Sequence, residues 1–279
     1  MRSRSLFFRR SIPASSTVNL WSTGLAVGSG GLVGFSLGLI GGGGSILATP
    51  LLLYAVGLSP PHLAIGTGAL AVAANAFLNF GSYARKGTVR WRSAIVFAVV
   101  GSIGAFAGSS LGKAVNGDRL LFLFGLLMLL IGALMLKGRR TEISVQNETK
   151  DRSWLAIATA IVVGLAAGFF GIGGGFLIVP GLIFATGMPV INAIGTSLLA
   201  VGAFGLTTAL NYALSGLVDW TVAAEFICGG FVGGLVGMRL ASHLSQFKSA
   251  LNFVFASLIF VVAIYVLYKS GHSLFSQDA

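Results

Sequence analysis

The chain reads Gly41-Gly-Gly-Gly-Ser-Ile-Leu-Ala-Thr-Pro50 in its first half and Gly171-Ile-Gly-Gly-Gly-Phe-Leu-Ile-Val-Pro180 in its second half. Each copy follows an apolar run, at residues 25–40 and 155–170. Glycine clustered between apolar runs breaks a helix inside a membrane, exposes backbone N–H groups and lets a ligand approach the main chain. Two such breaks at matching positions of two halves predict a transporter whose binding site lies at the breaks.

The composition predicts the class of protein. Of the 279 residues, 55% are hydrophobic and only 9% are charged, whereas soluble domains carry about 25% charged residues. So few charges cannot cover a water-facing surface, so we expect an all-α integral membrane protein. The 41 glycines are typical of membrane helices whose backbones pack close together.

The charges and the rare reactive residues exclude several classes. The net charge of +11 comes mainly from basic residues in tails and loops. There they contact lipid headgroups and orient the chain, so we expect membrane lipids and not nucleic acid as partners. The single cysteine, Cys228, and three scattered histidines predict no metal site and no cofactor. The sequence contains no phosphate-binding loop and no hydrolase triad, so we expect no enzyme.

Apolar and polar stretches divide the chain into five parts. These are a basic N-terminal tail at 1–17, a first transmembrane repeat at 18–136, a polar linker at 137–153, a second transmembrane repeat at 154–268 and a C-terminal tail at 269–279. Each repeat holds about five apolar segments, which predicts about 8 to 10 membrane segments, with glycine-broken or re-entrant helices at the repeat interface. The basic tail is interpreted as cytoplasmic, and a transit peptide remains an alternative.

The second half repeats the order of residues in the first half. The spacing is 129 or 130 positions for Pro50 and Pro180, for Gly66-Thr67 and Gly195-Thr196, and for Gly87-x-Val89-x-Trp91 and Gly216-x-Val218-x-Trp220. Chance matches among many glycines would not keep these motifs in one order. The two halves are therefore interpreted as duplicates.

The sequence leaves the relative orientation of the two halves open. Five segments per half would invert the second half, whereas a single broken span at each glycine cluster would make the repeats parallel. The loop with Arg85, Lys86, Arg90 and Arg92 is matched by one that holds Asp219 and no basic residue, which favours inversion. The parallel alternative puts the N-terminal tail, this basic loop and the linker together in the cytoplasm. We expect five segments, because one broken span would be about 57 Å long.

The glycine breaks predict an anion site. A helix that begins in mid-membrane presents unpaired N–H groups and a partial positive charge to its surroundings. We expect the two breaks to converge on one small oxyanion, with the binding residues Gly43, Gly44, Ser45, Gly173, Gly174 and Gly175. The alternative is that these glycines only allow tight helix packing.

The segment after each break supplies polar side chains. Thr67, Asn75 and Asn79 are spaced four or eight apart, on one face of a helix. The second half offers Thr196, Ser197, Thr208 and Asn211. Hydroxyls and amides can bind oxyanion oxygens, and the alternative role is interhelical hydrogen bonding worth about 0.6 kcal/mol per bond.

Two further sets of residues are singled out. The structural motif consists of Gly41, Pro50, Gly66, Gly171, Pro180 and Gly195. Glu225 follows Trp220 by five residues and could couple transport to protons, since ionisable groups inside spans are rare and functional. The alternative is that Glu225 reaches the membrane interface.

These paired motifs resemble the TauE/SafE family of sulfite exporters over about residues 25–268. The resemblance implies secondary transport of small anions, chiefly sulfite and sulfonates, by a multi-pass protein of the bacterial inner (plasma) membrane. The first copy departs from the family pattern at Gly42 and Ser45, where the second copy has Ile172 and Gly175. This departure puts the equivalence of the two half-sites in question.

The residues and the resemblance together predict a secondary transporter, an exporter or permease, of a small sulfur-containing anion such as sulfite, thiosulfate or an organosulfonate. An anion-selective channel with the same glycine-rich elements is the alternative, and a membrane scaffold without transport is a third. The exact substrate, the direction, the coupling ion and the formation of a homo-oligomer stay open.

Overall fold

The computed structural model of the chain describes residues 20–137, 153–243, 257 and 259–271. The predicted N-terminal tail and nearly all of the linker lie outside these residues. Within them the chain is helical, with no strand. The helical segments, numbered in chain order, are α1 (Leu20–Ile40), α2 (Gly42–Leu47, Ala48–Pro50 and Leu51–Ala55), α3 (Pro61–Arg85), α4 (Trp91–Ala114), α5 (Gly117–Lys137), α6 (Ser153–Phe170), α7 (Gly175–Thr186), α8 (Val190–Ala213), α9 (Trp220–His243) and α10 (Ile259–Gly271).

Five of the described helices are long and apolar enough to cross a membrane, as the composition predicts. They are α1, α3, α4, α8 and α9, and α3 is the most buried of them. The outer face of α4 exposes large apolar side chains at helical spacing, at Trp91, Ile95, Val99, Ile103 and Phe106. A face of this kind suits contact with lipid tails and not with water.

The helices α3 and α8 cross the centre of the bundle in opposite directions. Gly66, near the start of α3, packs on Tyr212 near the end of α8, and Gly202 of α8 packs on Phe77 of α3. The helix α5 likewise runs antiparallel to α10, because Gly125 lies against Leu267 and Gly132 against Phe260 in the reverse order.

Two pairs of parallel helices pack through glycine on either side of this centre. Between α1 and α9, the contacts join Gly30 to Phe226, Gly34 to Gly230 and Gly38 to Gly234. Between α4 and α6, they join Gly101 to Gly164, Ala105 to Gly168 and Gly112 to Phe169. A Cβ atom at most of these glycines would overlap the backbone of the partner helix. The two seams therefore depend on backbone-to-backbone contact, which only small residues permit.

The short segments α2 and α7 fold back on the helices that precede them. Gly174 lies beside Ala167 of α6, and Gly181 lies beside Thr159 near the start of the same helix. In the first half, Gly44 lies against Ser36 and Leu37 of α1. The glycine clusters therefore reverse the chain, and neither forms the middle of one continuous span.

The helix directions also place the charged loops. The helix α9 follows α8 and runs antiparallel to it, and α3 is antiparallel to α8 as well. Since α1 runs parallel to α9, it runs in the same direction as α3. The start of α1 therefore lies at the end of the bundle opposite the basic loop that contains Arg85 and Arg90. The parallel alternative requires the start of α1 and this loop at the same end of the bundle, so it does not match these helix directions.

Candidate functional site

Three residues of the second glycine break have a backbone conformation that favours glycine. Gly171, Gly173 and Gly174 have φ angles of 67°, 64° and 68°, in the left-handed region. Gly174 caps α7, because the amides of Leu177 and Ile178 donate to its carbonyl oxygen. The amides of Gly175 and Phe176 come before the first of these bonds, so the start of α7 presents N–H groups and the positive end of its dipole.

This break lies halfway along the central helices. A Cβ atom at Gly173 would be 3.0 Å from Val72 Cγ1 and 3.6 Å from Val201 Cγ1, near the middles of α3 and α8. The first break is adjacent, since Gly42–Leu47 contacts α7. Gly43 belongs to this stretch, but its surroundings lie outside the described residues. The structure therefore brings the two short segments together between α3 and α8.

The remaining predicted binding residues are all buried, so the region is closed to solvent in this structure. These residues are Gly44, Ser45, Thr67, Asn75, Asn79, Gly173, Gly174, Gly175, Thr196, Ser197, Thr208 and Asn211.

Thr67 and Thr196 bind loops of the opposite half. The Arg90 amide, at the start of α4, donates to Thr196 Oγ1 over 3.0 Å, and the Asp219 amide donates to Thr67 Oγ1 over 2.9 Å. Asp219 in turn caps α9, because its Oδ1 accepts from the amides of Thr221 and Val222. Both threonine hydroxyls therefore join a central helix to the first turn of a neighbouring one, which is the interhelical role that the sequence left as the alternative.

We expect Thr67→Val and Thr196→Val each to lower the free energy of unfolding by about 1 kcal/mol, because each leaves a loop amide without its acceptor. Thr207→Val serves as the control, since the Thr207 hydroxyl bonds only to Ala203 of its own helix. Thermal unfolding in detergent measures the difference. Unchanged stability with lost transport would instead assign the two hydroxyls to the substrate.

Ser197 and Asn211 already have hydrogen-bond partners. Ser197 Oγ donates to Ile194 O over 2.8 Å. Asn211 Nδ2 donates to Ser109 Oγ over 2.6 Å, and Asn211 Oδ1 accepts from Lys113 Nζ over 2.8 Å. Asn211 also lies about 15 Å beyond Val201 along α8. The structure thus places Asn211 in a polar cluster between α4 and α8 and does not bring it to the breaks.

Asn75 and Thr208 differ from these residues, because their buried polar atoms have no hydrogen-bond partner. Asn75 is 0% exposed, and both Oδ1 and Nδ2 are unpaired. Thr208 is 0% exposed as well, with Oγ1 unpaired. Unpaired buried polar groups are costly and rare. They are the predicted residues that most need a ligand or water.

Thr49 is a residue of this kind that the sequence reasoning missed. It is 1% exposed, its Oγ1 has no partner, and it lies in α2 beside Gly68 of α3. Its position inside the first glycine–proline stretch was the available signal, but apolar neighbours on both sides made it look like a core residue.

The motif glycines pack the two halves together. Gly41 lies against Ile194, and Gly171 lies against Ile65. Gly66 lies against Tyr212, and Gly195 lies against Thr88.

The two prolines of the motif lie within the short segments. Pro50 is buried in α2, and Pro180 lies inside α7.

Glu225 lies near the start of α9, not at the breaks. Thr23 Oγ1, near the start of α1, donates to Glu225 Oε1 over 2.8 Å, and the carboxylate side chain is half-buried. Among the described residues, no group of three His, Cys, Asp or Glu side chains could hold a metal ion.

Comparison with known proteins gives a consistent set of relatives. Residues 26–266 match the protein family described as "Sulfite exporter TauE/SafE". A probable membrane transporter protein of Xylella fastidiosa strain 9a5c is 61% identical over 252 residues, which cover 90% of this chain and 97% of that protein. The probable membrane transporter protein YunE of Bacillus subtilis is 29% identical over 75% of this chain and 85% of its own length. No solved structure matches the chain.

Proposed function

Since the chain belongs to the sulfite exporter TauE/SafE family of membrane transporters, we propose that it is a secondary transporter of a small sulfur-containing anion such as sulfite, thiosulfate or an organosulfonate. The anion binds at the glycine breaks between α3 and α8 and crosses by alternating access. The proposed location is the inner membrane of a bacterial cell.

The observation that carries this proposal is the position of the second break. It begins a short helix beside Val72 and Val201, at the middle of both central helices, and the first break is in contact with that helix. Helix N-termini at this depth supply N–H donors and positive dipole ends for an anion. Glycine adds no side chain of its own over these donors.

The buried polar side chains support binding of modest strength. Among the described residues they are serines, threonines and asparagines, and none is charged. A buried cation would hold an anion tightly, whereas uncharged donors and helix dipoles release it more easily. Release is as necessary as binding for a protein that transports its ligand.

The proposal includes two inverted repeats. The helices α3 and α8 hold equivalent positions in the two halves and are antiparallel. In the same way, α1 of the first half packs on α9 of the second, and α6 of the second half packs on α4 of the first. The Thr67–Asp219 and Thr196–Arg90 hydrogen bonds are also equivalent. Thr196 lies 129 residues after Thr67, and Asp219 lies 129 residues after Arg90. An inverted pair supports alternating access, because rocking of one repeat against the other exposes the site to each side in turn.

Counterflow in proteoliposomes tests the function. Vesicles loaded with unlabelled sulfite should transiently accumulate labelled sulfite, and a panel with thiosulfate and sulfoacetate ranks the substrates. An anion channel would show flux without transient accumulation. Protein-free vesicles provide the baseline, and flux equal to that baseline for all three anions would contradict transport of this class.

We further propose that Glu225 couples transport to protons. Glu225→Gln is then expected to keep counterflow at equal pH and to lose the part of the pH-gradient stimulation of net uptake that protonation of the substrate itself does not supply. Thr23→Val, which removes the donor to Glu225 but keeps the carboxylate, is the control and should keep the stimulation. An unchanged gradient response in Glu225→Gln would contradict the coupling role.

A further inference from the structure

We propose that the transported anion binds to the Asn75 amide as a singly charged species that still carries a proton, and that the second half has no equivalent position because Phe204 fills it. This inference rests on the proposed function and names the form of the substrate and the residue that selects it.

The Asn75 side chain is enclosed but unsatisfied. It is 0% exposed, and neither Oδ1 nor Nδ2 has a hydrogen-bond partner. It points at α9, where even a Cβ atom on Gly230 would overlap its amide. Gly230 also forms part of the seam with Gly34 of α1. The amide therefore faces the seam between α1 and α9, and a small outward movement of this helix pair during rocking would open space beside it.

Phe204 occupies the equivalent position of the second half, 129 residues later. It is 0% exposed, and a Cβ atom on Gly101 of α4 would overlap its ring. The same ring lies 3.6 Å from the place of a Cβ atom on Gly174. An apolar ring thus fills the space between the α4–α6 seam and the second break, where the first half carries an amide.

A second difference points the same way. The first break has Ser45 where the second has Gly175, and Asn79 stands where the second half has Thr208. Asn79 packs beside Gly234, one turn along α9 from Gly230. The two amides on this face, those of Asn75 and Asn79, are therefore both in the first half, so the proposed amide site exists once and not twice.

The chemistry of an amide limits the ligand. Asn75 offers two N–H donors and one carbonyl acceptor. A fully deprotonated oxyanion has only acceptors, so it would pair with Nδ2 and leave Oδ1 facing negative charge. An oxyanion with an O–H group satisfies both atoms. None of the buried polar side chains in the described part of the chain is charged, so a second negative charge would also lack compensation. Hydrogensulfite has the required form, whereas sulfite, thiosulfate and a sulfonate group carry no O–H at neutral pH, so this inference narrows the proposed class to hydrogensulfite.

The first measurement is the pH dependence of sulfite counterflow with equal pH on both sides of the vesicle membrane. The exchange rate should follow the concentration of the protonated monoanion and fall about tenfold per pH unit above the pKa of the anion itself. A rate that stays constant while the dianion replaces the monoanion would overturn the proposal.

The second measurement compares two variants. Asn75→Leu removes two unsatisfied polar atoms, so its Tm in detergent should stay equal or rise, while exchange falls by about tenfold or more. Asn192→Leu is the control, because Asn192 Nδ2 donates to Thr88 O. Its Tm should fall, with exchange per folded protein close to wild type.

Each other outcome has a clear meaning. Full exchange in Asn75→Leu would show that the anion does not bind there, and lost exchange with a lowered Tm would make Asn75 a structural residue. Either result overturns this inference while wild-type counterflow still supports the proposed function. Absence of counterflow in the wild type with every anion would refute the proposed function itself.

Discussion

Gly174→Ala is expected to lower anion exchange by about tenfold or more, a loss that corresponds to ~1.4 kcal/mol of binding or more. Gly174 has a φ of 68°, and an added Cβ atom would overlap Cβ of Ala167. The left-handed backbone alone costs a non-glycine residue about 1–2 kcal/mol. The collision adds to this strain and would push the start of α7 away from α6, which displaces the N–H groups proposed to hold the anion.

Gly57→Ala separates strain from displacement. Gly57 has a φ of 80° with nothing within 4 Å of an added Cβ atom, so its alanine variant carries the backbone strain without the collision. We expect a similar strain cost in Gly57→Ala but exchange close to wild type. Counterflow per folded protein, with Tm in detergent, measures both. Equal loss of exchange in the two variants would mean that the position of the break does not matter.

Gly34→Ala is expected to destabilise the protein by about 2–3 kcal/mol, the upper part of the range for overpacked sites. Its Cβ atom would overlap the carbonyl oxygen of Gly230, so α1 and α9 would have to separate. The parallel seam depends on this close approach along several helical turns. Because backbone atoms stand on both sides of the contact, no side-chain rotation can relieve it.

Gly28→Ala is the matched control on the same helix. A Cβ atom at Gly28 has nothing within 4 Å, and alanine is the better helix former by about 1 kcal/mol. Its stability should therefore equal or exceed that of the wild type. Thermal unfolding in detergent distinguishes the two variants, and a Gly34→Ala protein as stable as Gly28→Ala would contradict the seam.

The membrane class and the helix breaks were predictable from local sequence. Whether a segment prefers lipid depends on its own side chains, and five described helices have the required length and hydropathy. Glycine at Gly171, Gly173 and Gly174 predicted a break because an achiral residue adopts left-handed backbone readily, and all three have positive φ. The family resemblance was predictable for a similar reason, because it depends on short motifs in a fixed order.

The partners of the polar residues were not predictable in the same way. Thr67, Asn75, Thr196 and Asn211 look alike in the sequence, as small polar residues on apolar helices. In the structure, the two threonines accept from loop amides, Asn211 is bonded to Ser109, and Asn75 has no partner. Helical spacing determines which residues share a face, but it does not determine which helix that face meets.

By itself, the sequence determined that this chain is a helical membrane protein of a transporter family, with its helices interrupted at two glycine clusters. These properties depend on residue type and local order. Only the tertiary structure decided that α1 packs on α9 and α4 on α6, that the second break lies between Val72 and Val201, and that Asn75 is buried without a partner. These features depend on contacts between residues distant in the chain, and in a membrane such contacts are selected by close packing and hydrogen bonding, which hydropathy does not encode.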